Sequence, residues 1–334
     1  MCIMINQRLF DWYNIDTSKD LKFNSYCTRP FDTVLIDKNG SCYLCECQAW
    51  LPQSVGNIQV QPLEKIITSN TAKILQESIA DGSYRYCNNH QCTFLLKDRD
   101  LGWPATVPNV KIKNIRLAID ESCNLFCPSC RNKQIFYKSG PELKKRMSIA
   151  DKIIDYLKKQ QTNINVHIGS DGDPFASLVY RYFIKNTKHL EHLKFSLQTN
   201  GLLVKKMYVK NKEMFDRLTV LNISIDGATK NTYEKLRLGG NFEKILENLE
   251  FIKHIKDKFI FNLHMVVQKD NWHEMPLMLD IAHRYDVDKV YFNKIQNWNT
   301  ALNFSEQQFT DIEEFKKIYS KIKKDTKSRL WALT

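Results

Sequence analysis

The chain has 334 residues, 43% of them hydrophobic and 26% charged, which excludes a disordered chain and leaves material for more than one small domain. Its 49 Lys and Arg against 37 Asp and Glu give a net charge of +12, a balance that favours an anionic partner or substrate, although the lysines are spread along the chain and serve solubility equally well. No run reaches the ~18 apolar residues of a membrane span, and the N-terminal stretch lacks the basic start and apolar core of a secretory signal. A cytoplasmic, reducing setting is therefore expected, in which ten cysteines are better used as metal or cluster ligands than as disulfides.

In chain order, the first element is a hairpin. Val34-Leu35-Ile36 and Cys42-Tyr43-Leu44 flank an Asn39-Gly40 turn. A helix is expected over about 63–80. The stretch Leu101–Asn114, with two prolines and no clear period, reads as a seam, which divides a domain over 1–110 from one over 111–334. Beyond it, six apolar-alternating runs follow: Ile115–Ile119, Ile164–Ile168, Leu193–Leu197, Leu221–Ile225, Phe259–Val267 and Val290–Phe292. Helices are expected between them at about 143–159, 175–185, 212–217, 242–252, 273–284 and 306–322. The clearest has Asn241 as cap and Phe242, Ile245, Leu246, Leu249 and Ile252 on one face. Six strand–helix units imply an α/β fold with a parallel sheet, either doubly wound or a partial barrel. Trp298 and Trp331 are expected at the bottom or open edge of such a barrel.

The cysteines lie only in the front of the chain, and residues 131–334 have none. The first strand of the series ends at Asp120, and Cys123, Cys127 and Cys130 follow with C-x3-C-x2-C spacing. Parallel βα folds place ligands at this end of the sheet. Three thiolates on one short loop satisfy three irons of a 4Fe–4S cluster and leave the fourth for an exogenous ligand. Structural zinc would want a fourth protein ligand, and none lies nearby in sequence.

With these residues in view the chain resembles the radical S-adenosylmethionine (radical SAM) superfamily over about 112–300. Cys123–Cys130 looks like its cluster loop. Gly172, Asp173 and Pro174 stand where the family has a Gly-Gly-Glu-Pro-like segment at the end of the second strand. Ser224 and Asp226 stand where a polar residue meets ribose at the end of the fourth, and Gln268 near the adenine at the end of the fifth. The resemblance implies a (βα)6 partial TIM barrel and a 4Fe–4S cluster that binds and reductively cleaves SAM. It also implies a 5′-deoxyadenosyl radical that takes hydrogen from substrate, and an external electron donor. Two residues depart from the family pattern: Ser129 replaces the usual aromatic before the third cysteine, and Asp173 replaces Glu. Arg131 and Arg237 are candidates to pair with the SAM carboxylate or to offset cluster charge.

The front cysteines resemble a SPASM-type auxiliary-cluster domain over about 27–95, placed before the barrel where the family has it after. The resemblance implies a second 4Fe–4S cluster on Cys27, Cys45, Cys87 and Cys92, with Cys47 as the alternative to Cys45. A zinc ribbon on the same four positions is the rival. Cys42 reads as a hairpin strand residue, Cys2 as a plain thiol, and His90 as solvent-facing. His167 and His264 read as barrel lining.

No P-loop, dinucleotide GxGxxG or Ser-His-Asp order is present, and no catalytic residue is assigned. The expected substrate is a sugar, nucleotide or other small, anionic molecule or glycan, undergoing oxidation, epimerisation or rearrangement. This rests on the net charge and on the short stretch before Cys27. The spare-thiol map tilts the choice slightly away from epimerisation, because the barrel has no cysteine left to quench a product radical. The alternatives are modification of a peptide or protein, and a non-catalytic zinc protein bound to nucleic acid. Neither a membrane nor a nucleic-acid partner is expected.

Overall fold

The computed structural model describes residues 5–21, 26–96, 106, 108–296, 304–308, 313–324 and 331–333. Cys2 and Trp298, and the side chain of Trp331, lie outside the described residues. The fold is α/β, with a mostly parallel sheet that does not close, a partial barrel. The chain folds as two compact units: 1–120 with 139–171 and 185–194, and 121–138 with 172–184 and 195–334.

In the first unit the expected hairpin forms from β1 (Thr33–Asp37) and β2 (Ser41–Tyr43), antiparallel with Leu35 opposite Tyr43. Its turn is held by the Asp37 carboxylate, which accepts the Asn39 and Ser41 N–H groups at 2.8 Å each. Gly40 sits there at φ +80°, where a side chain would be strained. A third short strand, β3 (Gly56–Asn57), pairs with β2. β1 also runs parallel to β4 (Asn114–Ala118), which pairs in turn with β5 (Ile164–Ile168). The within-unit order is β5-β4-β1-β2-β3, so the cysteine-rich front contributes strands to the barrel sheet.

The helix expected over 63–80 is two helices, Leu63–Ile66 and Asn70–Ala80. The break is chemical: Ser69 turns extended and its hydroxyl caps the second helix by accepting the Ala72 N–H, contributing about 1 kcal/mol. Helix Pro141–Lys158 starts with proline in its first turn and buries Ile149, Ile153, Ile154 and Leu157. Its Arg146 pairs with the fully buried Asp120 at 3.6 Å, beneath the end of β4.

The second unit carries β6 (Leu193–Thr199) from Phe195 onward. β7 (Leu218–Ser224), β8 (Ile260–Val267), β9 (Lys289–Lys294) and β10 (Trp331–Leu333) follow, all parallel and in chain order. Leu197, Leu221, Ile223, Phe261, Leu263, Met265, Val290 and Phe292 are fully buried on one face. Helices Phe242–Lys253 and Met275–Arg284 present their own buried apolar stripes. As expected, Asn241 caps the first of these, accepting the Lys244 N–H at 2.7 Å. The opposite strand face is mixed, with Asn222, Ser224, Asn262 and His264 among Val220 and Val266, unlike a parallel sheet apolar on both sides. Sequence reading missed helices Gln7–Trp12, Arg29–Asp32, Val204–Tyr208 and Lys230–Leu236, and strands β3 and β10. None of the six exceeds seven residues, too few turns or alternations to carry a period.

Candidate functional site

The loop after β4 holds Cys123, Cys127 and Cys130. Backbone bonds shape it: Cys123 N–H donates to Ile135 O at 3.1 Å and Phe126 N–H to Leu238 O at 2.9 Å. The Cys130 and Arg131 N–H groups both donate to Cys127 O, folding the last two cysteines into one turn. Cys123 and Cys127 are buried and Cys130 is exposed. Leu125 packs between the two buried thiols, with Leu202 against them. Burial pushes the Cys123 thiol up to about 12 and the Cys127 thiol up to about 11, so metal coordination is the means by which these sulfurs would lose their protons.

Three groups of side chains converge on the loop within the second unit. The first centres on Asp173, which is 1% exposed. Its N–H donates to Ser122 O. One carboxylate oxygen accepts the Phe175 and Ala176 N–H groups, and the other accepts Thr199 Oγ1 at 2.6 Å and the Asn200 N–H at 3.0 Å. Four donors occupy that carboxylate, so Asp173 acts as a strut for the loop. Gly172, before it, lies at φ +66°, and Pro174 after it is buried. The second is Asn200, whose amide donates to Asn124 Oδ1 at 2.9 Å and faces Cys123 Sγ at 3.7 Å. The third is Arg237, whose Nε pairs with Asp226 Oδ2 at 2.8 Å while Nη1 reaches Cys127 Sγ at 3.9 Å. Burial opposes the Arg237 charge, but Asp226 and Cys127 outweigh it and hold the guanidinium protonated.

Arg131 spans Glu121 O at 2.7 Å and Cys130 Sγ at 3.6 Å, so both candidate arginines face sulfur. Ser129 is half-buried in the turn. Ser224 lies apart from the cysteines in its bonding and accepts Gln198 Nε2 at 2.5 Å. Two residues escaped sequence reading. Asn200 reads only as a strand end. Tyr233 is fully buried, its hydroxyl has no hydrogen-bond partner among the described residues, and Cys127, Arg237 and Asp226 act on it electrostatically. Its position four residues before Arg237, on the same helix face, was the available signal. Gly240 permits this packing, because a Cβ there would stand 2.8 Å from the Tyr233 ring and 2.7 Å from Arg237 O.

In the first unit Cys27, Cys45, Cys87 and Cys92 line one cavity with Arg29, Trp50, Leu51, Tyr84 and Phe94. Cys47 is not among its lining residues. Cys27 N–H donates to Tyr84 Oη at 2.9 Å, Cys87 N–H to Tyr84 O and Cys92 N–H to Asn88 O. Asn88 joins this loop to the Ala49–Trp50 turn, donating its N–H to Trp50 O and its amide to Ala49 O. Arg29 Nη1 faces Cys27 Sγ at 3.8 Å and Nε pairs with Glu46 at 3.3 Å. Cys42 is buried in β2, as expected, and His90 is exposed.

Among the described residues no three His, Cys, Asp or Glu side chains are gathered as around a single metal ion. Zinc would draw four thiolates to ~2.3 Å from itself and so into a tight group. Four thiols lining one cavity and three thiols on one loop are donor sets of the all-sulfur kind that iron–sulfur clusters take.

Comparison with known proteins identifies the family. The radical SAM superfamily profile matches residues 119–282 and the iron–sulfur cluster-binding SPASM profile matches residues 27–93. A probable GTP 3′,8-cyclase of Methanococcus maripaludis is 31% identical over 142 residues, 42% of this chain and 45% of that protein. A GTP 3′,8-cyclase of Alkaliphilus metalliredigens is 27% identical over 150 residues, 42% of each chain. The chain thus spans less than half the length of these curated relatives. The crystal structure of Streptococcus suis SuiB bound to precursor peptide SuiA aligns with a TM-score of 0.49 at 13% identity, covering 66% of this chain and 48% of that one. The family's cofactors are SAM and 4Fe–4S clusters, including an auxiliary one. From its cluster loop, its open α/β fold and its front cysteine domain, the chain belongs to the radical SAM superfamily as an enzyme with a SPASM domain at its N-terminal end.

Proposed function

We propose that Cys123, Cys127 and Cys130 hold the SAM-binding 4Fe–4S cluster, and that Cys27, Cys45, Cys87 and Cys92 hold the auxiliary one, in domains 111–334 and 1–110. The substrate is a sugar, nucleotide or other small anionic molecule, an external donor supplies electrons, and the setting is the cytoplasm. The observation that carries the reading is the convergence of Asp173, Asn200 and Arg237 on a loop that bears three thiols.

With both cofactors bound, the family's chemistry supplies a radical that abstracts hydrogen from substrate. The protein's part is geometric and electrostatic. Asp173 and Asn200 fix the loop. Arg237, anchored by Asp226, and Arg131 place positive charge beside the sulfurs, where it also suits a carboxylate ligand. The backbone of Gly172–Pro174 and the Ser129 turn are offered to SAM, with Ser224 and Asp226 further along. Leu125 and Leu202 keep water from the buried thiols. That Cys45, and not Cys47, lines the cavity with the other three supports Cys45 as the second auxiliary ligand. The sequence relatives named for a GTP reaction support a small-molecule substrate.

Anaerobic reconstitution with iron, sulfide, dithionite and SAM tests this. The wild-type chain is expected to release 5′-deoxyadenosine and Cys127→Ala to release none. A reconstituted wild type that binds iron and leaves SAM intact rejects the reading.

A further inference from the structure

Apart from Ser224, offered to SAM above, this face of the second unit's sheet has an order that the cofactor sites leave unexplained. Strand register aligns two rows across it. Gln198, Asn222 and Asn262 stand side by side on β6, β7 and β8, and Ser224, His264 and Tyr291 on β7, β8 and β9. Neighbours in a row lie about 4.8 Å apart, and the rows about 6.7 Å apart.

Within this grid some groups satisfy one another. Gln198 donates to Ser224, and Asn262 Nδ2 donates to Asn222 Oδ1 at 3.0 Å. The His264 ring stacks on Tyr291 with centroids 4.6 Å apart at 20°. Among the described residues two groups on β8 are buried and without a hydrogen-bond partner: Asn262 Oδ1, on a residue 4% exposed, and His264 Nε2. A buried polar atom left unpaired costs about 1–3 kcal/mol. Two on one strand, side by side and facing the same way, mark a place where a ligand completes the bonding.

The chemistry of the six side chains selects the ligand. They are carboxamides, a hydroxyl, a phenol and an imidazole, and burial holds the imidazole down to about 4, so it is neutral. Lys289, in register with Asn262, is exposed at the start of β9. Within the grid no group answers an anion. A hydroxyl suits both orphans, since it donates to the amide oxygen and meets an imidazole nitrogen in either tautomer. The flat Tyr291–His264 pair beside them offers apolar surface to the C–H side of a ring.

We propose that this face binds the uncharged, hydroxyl-bearing ring of the substrate, a sugar or nucleoside ring, through Asn262 Oδ1 and His264 Nε2. The inference rests on the radical SAM reading for its setting and adds to it the part of the substrate that is held and two specificity-determining residues. Any negative charge on the substrate is met outside this grid.

The test uses the full, cluster-loaded chain with SAM bound, so that the nucleoside probes do not report the cofactor's own site, and saturation-transfer NMR. Methyl β-glucopyranoside, uridine and guanosine serve as hydroxylated probes, and N-acetyl-trialanine amide as an uncharged peptide probe. At least one hydroxylated probe is expected to bind through its ring protons, about tenfold more weakly to His264→Phe and to Asn262→Ser, with the peptide probe silent. His264→Phe keeps the stack and removes an orphan nitrogen, so the ligand-free melting temperature is expected to hold or rise. The inference is overturned if no hydroxylated probe binds, if both variants bind as the wild type does, or if the peptide is the probe both variants lose. Iron content and SAM cleavage measured on the same samples separate the two readings: their absence in the wild type defeats the enzymatic assignment, and their persistence with unaltered probe binding defeats only this one.

Discussion

Tyr233 and Arg237 show how much of the cluster loop's environment is set by single groups. Tyr233 keeps a fully buried hydroxyl without a partner beside Cys127. If the cluster or its sulfur is what that hydroxyl serves, Tyr233→Phe leaves the metal-free protein as stable as wild type, or up to about 1–3 kcal/mol more so. In the loaded protein the cluster's midpoint potential moves to more negative values, because hydrogen bonds to sulfur stabilise the reduced state. Calorimetry of the metal-free chain and an EPR-monitored redox titration read the two effects, and an unmoved potential argues for a purely structural tyrosine. Arg237→Gln is the opposite case. It leaves Asp226 buried without its cation and is expected to cost about 3–5 kcal/mol in chemical unfolding, with iron lost from the Cys127 site.

At the scale of elements, β8 couples binding to acid stability. His264 is held near pKa 4 by burial, against 6.5 in an open chain. Between those values the unfolded chain takes a proton that the folded one refuses, so stability falls as pH drops from about 6.5 toward 4 and is unaffected above 6.5. The wild-type melting temperature is therefore expected to fall more between pH 7 and pH 5 than that of His264→Phe. Equal falls would show that another group governs the acid limb. The helix over 70–80 makes a simpler case: Ser69→Ala removes the cap that separates it from Leu63–Ile66 and is expected to cost about 1 kcal/mol by urea unfolding.

For the whole molecule the count of iron is decisive. Two 4Fe–4S clusters carry about eight irons per chain. Cys45→Ala is expected to retain about four and Cys47→Ala about eight, because Cys45 lines the four-thiol cavity. The reverse result would move the ligand to Cys47. Among the described residues no helix is long and apolar enough to cross a membrane.

The sequence by itself determined the spacing of Cys123, Cys127 and Cys130, the six alternating strands, the Asn39-Gly40 hairpin and the Asn241 cap. Each is a local pattern whose physics acts within a few residues: backbone alternation, one turn, one capping bond. Only the tertiary structure decided that Asp173 gives its second carboxylate oxygen to Thr199 and Asn200. The same holds for Tyr233 and Arg237 beside Cys127, and for the front hairpin lying parallel to β4. It also aligned Asn262 and His264 with partners on neighbouring strands. Those facts depend on register and on side chains more than twenty residues apart meeting in space, and chain spacing carries no record of either.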